Sequence, residues 1–143
     1  MIKIRKVLNS SEKVLGDINQ LLPQLSKSAK PLNLKDLKGL IECSSTHLYF
    51  AEEDEMVLGM LSLVVFQIPT GVRAWVEDVV VHLKVRGKGV GKMLTLTALS
   101  EAKQLGALTV DLTSRPSREV ANKLYMSVGF EPRITNVYRY RHG

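Results

Sequence analysis

Cysteine is almost missing from this chain: Cys43 is the only one in 143 residues. An intramolecular disulfide is therefore impossible, and a zinc site would have to do without the usual cysteine pairs. Aromatic residues make up only 6% of the sequence, with a single tryptophan. The long stripe of interleaved basic and aromatic side chains that marks many nucleic-acid readers is not there. No apolar run approaches the roughly 18 residues that cross a bilayer as a helix. The longest, Met56 to Phe66, is interrupted by Gly59 and Ser62. At the N-terminus, Met1-Ile2-Lys3-Ile4-Arg5-Lys6-Val7 alternates basic and apolar residues and lacks the apolar core of a secretion signal. These absences predict a cytoplasmic protein with no membrane partner.

What remains is 45% hydrophobic and 24% charged, the composition of one globular domain over residues 1–143. Twenty basic side chains against fourteen acidic ones give a net charge of +6, a balance compatible with a nucleic-acid partner, an acidic ligand or solubility alone. Location narrows the choice. Acidic residues gather in Glu52-Glu53-Asp54-Glu55, and basic ones in Lys84 to Lys92 and again at Arg133, Arg139 and Arg141. The first basic cluster falls in a glycine-rich loop, which points to a local anion site.

Hydrophobic periodicity orders the chain. Residues 2–7 alternate as a half-buried strand. Val14, Leu15, Ile18, Leu21 and Leu22 recur at helical spacing after the capping candidates Ser10 and Ser11, and Pro23 is expected to end that helix. A loop from Gln24 to Lys30 leads to a shorter helix starting at Pro31, with Leu34, Leu37, Leu40 and Ile41 on one face. His47 to Glu52 and Met56 to Ile68 form a β-hairpin around the acidic turn. Pro69-Thr70-Gly71 turns into a strand from Arg73 to His82. A glycine loop and a helix from about Val90 to Gly106 follow. Then come a strand over Leu108 to Thr113, a helix from Pro116 and Ser117 to Gly129, and terminal strands at Phe130 to Thr135 and Asn136 to Arg141. The order β α α β β β α β α β β gives a mixed α/β fold, a sheet covered by helices.

The glycine loop, Arg86-Gly87-Lys88-Gly89-Val90-Gly91-Lys92, has the wrong spacing for two familiar phosphate binders. Walker A needs a glycine where Arg86 stands and a hydroxyl where Met93 stands. The dinucleotide fingerprint needs glycine at Lys92. A loop feeding the N-terminus of a helix still offers free N–H groups and a positive dipole end to an anion. Arg86, Lys88 and Lys92 add charge there, and the glycines leave the approach open. The bland alternative is a tight β–α turn with a solvated basic surface, and residue types alone leave the two evenly matched.

Two motifs in order carry a resemblance. Arg86 to Gly91 matches the Q/R-x-x-G-x-G/A signature of the GCN5-related N-acetyltransferases, after a strand Val79-Val80-Val81 similar to theirs. Ala121-Asn122-Lys123-Leu124-Tyr125-Met126-Ser127-Val128-Gly129-Phe130 resembles that family's second motif, A-x-x-L-Y-x-x-x-G-F. The resemblance implies a mostly antiparallel central sheet and acetyl-CoA as acetyl donor. It places the pyrophosphate on Arg86, Gly87, Lys88, Gly89, Val90, Gly91 and Lys92, and the pantetheine arm beside Val79, Val80 and Val81 as an added strand. Arg118 stands where many members carry Asn, so Asn122 is the candidate for that contact. Leu83 stands where Pro is frequent.

Amine acetylation needs a base, because an alkyl ammonium with pKa near ~10.4 lies about 3 units, or about 4 kcal/mol, from its neutral form at pH 7. Glu77, in an otherwise apolar strand, is the candidate, with Asp78 expected on the opposite face by alternation. For both, the alternative is a salt bridge to Arg73 or Lys84 or a simple edge charge. Tyr125 is the candidate acid for the leaving thiolate, a role the resemblance implies. His82 is read as a solvent-facing loop residue. His47 and His142 lack metal-ligand spacing, and Cys43 is read as a small buried apolar residue. Tyr49, Phe66 and Trp75 are expected in the core or a pocket wall. The partners expected are acetyl-CoA and an amine acceptor, with a homodimer compatible with the sequence. The competing classes are a non-catalytic acyl-CoA sensor and, against the missing aromatic stripe, a small basic nucleic-acid-binding protein.

Overall fold

The computed structural model describes residues 1–143, which divide into two compact units, Met1–Leu112 and Thr113–Gly143. In the first unit, β1 (Lys3–Lys6), β2 (Thr46–Glu53), β3 (Met56–Ile68), β4 (Gly71–Val81) and β5 (Thr109–Asp111) form one sheet in sequence order. Four strands pair antiparallel, and β5 joins β4 parallel. The mixed, mostly antiparallel sheet expected from the sequence is present.

Helices cover both faces of this sheet. On one side, α1 (Glu12–Leu25) and α2 (Leu34–Glu42) place Val14, Ile18, Leu21 and Leu37 against Leu48, Phe50, Met60 and Val80. On the other, α3 (Val90–Gln104) places Val90, Leu94, Ala98 and Ala102 against Tyr49, Ala51, Leu61, Leu63, Ala74 and Val76. Alternation along β2 sends Leu48 and Phe50 to one layer and Tyr49 and Ala51 to the other. A strand buried on both faces reads as a continuous apolar run for that reason. Burying each of the large aliphatic side chains contributes about 1.5–3 kcal/mol.

Local chemistry sets the helix ends, with two departures from the sequence expectation. Ser11 caps α1 by accepting from the Val14 N–H. The helix continues past Pro23 to Leu25, because a proline in the last turn removes only one late ladder bond. Its neighbour α2 begins after Asn33, not at Pro31. Asn33 and Asp36 exchange side-chain and backbone bonds in a capping box, which satisfies two otherwise orphaned N–H groups. Asn19 grips the connecting loop with both ends of its amide, donating to Leu32 O and accepting from Leu32 N–H.

The second unit holds α4 (Glu119–Ser127), which starts two residues later than Ser117 and stops two residues before Gly129. The terminal strands expected at Phe130 to Thr135 and Asn136 to Arg141 are not formed: residues 130–143 carry neither helix nor strand. Side-chain alternation supplies only a face, whereas a strand also needs a ladder partner for its N–H and C=O groups. No strand pairs with these residues, and Ile134, Val137, Tyr138 and Tyr140 are exposed to solvent.

Candidate functional site

The site begins where β4 loses a neighbour. On one side β4 pairs with β3 along nearly its full length, but on the other β5 pairs only with Arg73, Ala74 and Trp75. From Val76 to Val81 that second edge has no strand partner. His82 N–H donates to Leu58 O at 2.7 Å, which fixes the phase of the ladder. Val80 therefore turns its backbone groups to β3, while the N–H and C=O of Val81, and of Val79 two residues back, point out of the free edge.

A β-bulge sits just before this stretch. Met60 faces Val80 and Ser62 faces Glu77, so Leu61 alone opposes both Asp78 and Val79. Asp78 absorbs the extra residue with a left-handed φ of 50°, a conformation that Asp tolerates better than most residues. The bulge swaps the faces of β4. Ala74 and Val76 pack toward α3, and Val80, an even number of residues on, packs toward α1 and α2. Simple alternation thus does not place Glu77 and Asp78 on opposite faces, as the sequence reading expects. Both carboxylates are exposed. Neither joins an ion pair; the pairs of this chain are Met1–Glu53, Arg5–Glu52, Lys13–Asp17 and Lys38–Glu42. Arg73 bonds Thr109 and Thr70 instead.

Beyond Val81 the chain makes a single 3-10 turn, Leu83–Val85, and enters the glycine loop. Gly89 caps α3 with φ of 80°, a left-handed conformation that a side chain would strain. The first N–H to bond within α3 is that of Met93, to Gly89 O at 3.0 Å. The N–H groups of Val90, Gly91 and Lys92 have no helical acceptor, and no side chain caps them. Lys88 and Lys92 are exposed beside them. The free edge of β4 and this uncapped helix start lie on one continuous segment, Val76 to Lys92. That is a surface for an extended chain carrying an anionic group.

Tyr125 and Asn122 belong to the second unit. Tyr125 is buried, its ring edge-to-face with Phe130 at 5.8 Å. Burial raises its pKa, and the nearby Arg118 charge opposes that rise without cancelling it. The phenol is therefore protonated at neutral pH. The Asn122 amide nitrogen donates to Arg115 O at 3.1 Å, bracing the start of α4.

The family model for the acetyltransferase (GNAT) family matches residues 17–130. The chain belongs to the GNAT family. Three solved structures show the same fold over nearly the whole chain. A transcriptional regulator from Bacillus halodurans C-125 is 24% identical, covering 99% of this chain and 100% of its own, with a TM-score of 0.84. The glucosamine-6-phosphate N-acetyltransferase of Arabidopsis thaliana is 23% identical, covering 98% of each chain, with a TM-score of 0.81. The aminoglycoside N-acetyltransferase AAC(6')-Iy, in complex with CoA, is 18% identical, covering 99% of this chain and 95% of its own, with a TM-score of 0.82. No curated protein sequence matches the chain.

Within this GNAT domain, other residues singled out in the sequence have structural partners. His82 accepts from the Lys84 N–H through Nδ1 and so stabilises the 3-10 turn. Cys43 is exposed, contrary to the buried role expected of it. It caps the end of α2, and a hydrogen bond from the Thr46 hydroxyl lowers its thiol pKa. No helix is long and apolar enough to cross a membrane, and no cluster of His, Cys, Asp and Glu could hold a metal ion.

Three contacts that border the site escaped the sequence reading. Gln24, at the end of α1, accepts from the Leu83 N–H at 2.8 Å. The Arg86 Nε donates to Val81 O at 3.2 Å. Gly59 lies so close to β4 that a Cβ there would stand 2.8 Å from Val80 O. Only Gly59 left a signal, since a glycine inside an apolar strand marks a close backbone approach. The other two contacts join residues whose proximity follows from the fold alone.

Proposed function

We propose that this protein transfers the acetyl group of acetyl-CoA directly to a primary amine, with residues 1–143 acting as one acetyl-CoA-binding domain in the cytoplasm. The observation that carries this reading is the free edge of β4 leading into the uncapped N-terminus of α3. Val79 offers its N–H and C=O, and Val81 its N–H, to the amide-bearing pantetheine arm. Val80 helps by holding the strand in the core. The loop from Gly87 to Lys92 receives the pyrophosphate, with the N–H groups of Val90, Gly91 and Lys92 as donors, Lys88 and Lys92 as charges, and Gly87 and Gly89 leaving room. Family membership supports the donor, and so does the CoA bound to a structural neighbour. The names of two neighbours, a glucosamine-6-phosphate and an aminoglycoside acetyltransferase, support an amine acceptor.

When bound, acetyl-CoA supplies an activated thioester. Glu77 takes the proton of the acceptor ammonium, directly or through a water, overcoming about 4 kcal/mol at pH 7; Asp78 is the neighbouring alternative. The neutral amine forms the new C–N bond as the C–S bond breaks, its second N–H proton passes to solvent, and Tyr125 donates its proton to the leaving sulfur. Its raised pKa keeps that proton in place until then. Asn122 braces the helix that carries Tyr125.

Calorimetric titration with acetyl-CoA, CoA and ATP in parallel tests the donor, and CoA release over a panel of primary amines tests the transfer. One acetyl-CoA bound per chain, none of ATP, and CoA released with an amine are the outcomes expected. No acetyl-CoA binding would overturn the reading. Binding without turnover on any amine would move the protein to an acyl-CoA sensor.

A further inference from the structure

Arg86 opens the glycine loop and carries a charge, which makes it look like a phosphate ligand. Its side chain is already engaged. The Nε donates to Val81 O, the last outward carbonyl of the free edge, across a five-residue span. Inside that span Val85 N–H donates to His82 O at 3.0 Å and Lys84 N–H to His82 Nδ1 at 3.1 Å. From outside, Gln24 holds the Leu83 N–H. The junction between β4 and the loop is thus pinned by side chains on both flanks. Immediately after it come Gly87 and Gly89 with φ of 83° and 80°, residues with the widest backbone freedom and the most entropy to lose on ordering.

We propose that Arg86 is a positioning residue: its Nε holds the Val81 carbonyl, and this brace aims the Gly87–Lys92 backbone at the anion instead of the guanidinium binding it. The inference rests on the acetyl-CoA reading for its functional consequence. Bond counting sharpens it. In Arg the Nε is attached to Cδ, and in Gln the Nε2 is attached to Cδ as well, so both present an N–H donor at the same distance along the side chain. Lys has a methylene there and its nitrogen one bond further. The brace therefore accepts Arg or Gln and rejects Lys, which is the choice the loop signature allows at this position. A phosphate ligand would sort them the other way, because Lys keeps the charge and Gln loses it.

Three variants separate the two roles: Arg86→Gln keeps the donor without the charge, Arg86→Lys keeps the charge without the donor, and Arg86→Met has neither. Acetyl-CoA affinity is measured by calorimetry over a range of salt concentrations. Amide hydrogen exchange of the 82–92 segment is followed in the unliganded protein. A brace predicts that Arg86→Gln binds within about twofold of wild type with an unchanged salt slope. Arg86→Lys and Arg86→Met lose about tenfold, with KM raised and kcat retained, and exchange faster in the loop. Retained affinity in Arg86→Lys with a loss and a shallower salt slope in Arg86→Gln would overturn the proposal. If wild type binds no acetyl-CoA, the acetyl-CoA reading falls, while the exchange pattern still decides the brace: equal loop exchange in all four proteins refutes it.

Discussion

Replacing Gly59 by alanine adds one methyl group at the most crowded point beside the site. The new Cβ would lie 2.8 Å from Val80 O and 3.3 Å from both Leu94 Cδ1 and Val90 Cγ1. Only the Leu94 methyl can swing away. Val80 O is held in the ladder to β3 immediately after the bulge, and Val90, almost fully buried, opens α3. Overpacking of this kind costs about 1–3 kcal/mol, offset by the roughly 0.5–1 kcal/mol that alanine gains over glycine within a strand. The net expectation is a loss of about 1–2 kcal/mol, or a fall of about 3–6 °C in Tm for a chain of this length. Urea denaturation should show a lower midpoint with unchanged slope. Gly16→Ala and Gly39→Ala are matched controls: both sites are helical, with nothing within 4 Å of the added Cβ. These should gain up to about 1 kcal/mol. Because the strain falls on Val80 and the first turn of α3, Gly59→Ala should also weaken acetyl-CoA binding, and the controls should not. A Gly59→Ala protein as stable as wild type would refute the close approach of β3 to β4.

Gly89→Glu should abolish acetyl-CoA binding in a calorimetric titration, since it strains a left-handed residue and sets a carboxylate at the anion site; wild-type affinity would remove the loop from the site. Tyr125→Phe should lower turnover by about 10²-fold or more with little change in affinity for acetyl-CoA, and equal turnover would take Tyr125 out of the mechanism. Tyr49 is 2% exposed, and its hydroxyl has no partner within 3.5 Å, with only the Glu101 carboxylate acting on it from further away, so Tyr49→Phe should leave stability unchanged or raise it by about 1 kcal/mol in urea melts near neutral pH. Burial, helped by the Glu101 charge, raises the Tyr49 pKa to about 12. Its contribution is therefore intact below pH 10 and is lost as the unfolded phenol ionises and pH climbs toward 12. Wild type should lose up to about 3 kcal/mol more than Tyr49→Phe over that window, and parallel pH profiles would contradict this.

Most of the fold was legible because its signals are local. Alternation and turn chemistry set β3 at Met56–Ile68, as the structure has it, and the helix after the glycine loop begins at Val90 as its periodicity required. Misplacements arose where a second local interaction outweighed the first. Asn33 with Asp36 makes a stronger start than Pro31, and Pro23 costs too little near a helix end to stop it. The glycine loop was legible as a family signature: its spacing ruled out two phosphate motifs and resembled the GNAT pattern, and the family is the one the chain belongs to.

The sequence by itself determined the order of elements from β1 to α4 and most of the core-facing positions of α1 and α3, because each depends on side chains within a turn or two of one another. Tertiary structure alone decided where the free edge of β4 lies, since that depends on where β5 stops pairing at Asp111. It also decided which carbonyls that edge exposes, since the bulge at Asp78 shifts the phase of every residue after it. The same holds for the bonds from Gln24 and Arg86 that pin the loop. Residues 130–143 mark the limit most plainly. Their pattern suits a strand, but a strand is a property of two chain segments, and a pattern in one of them cannot supply the other's hydrogen bonds.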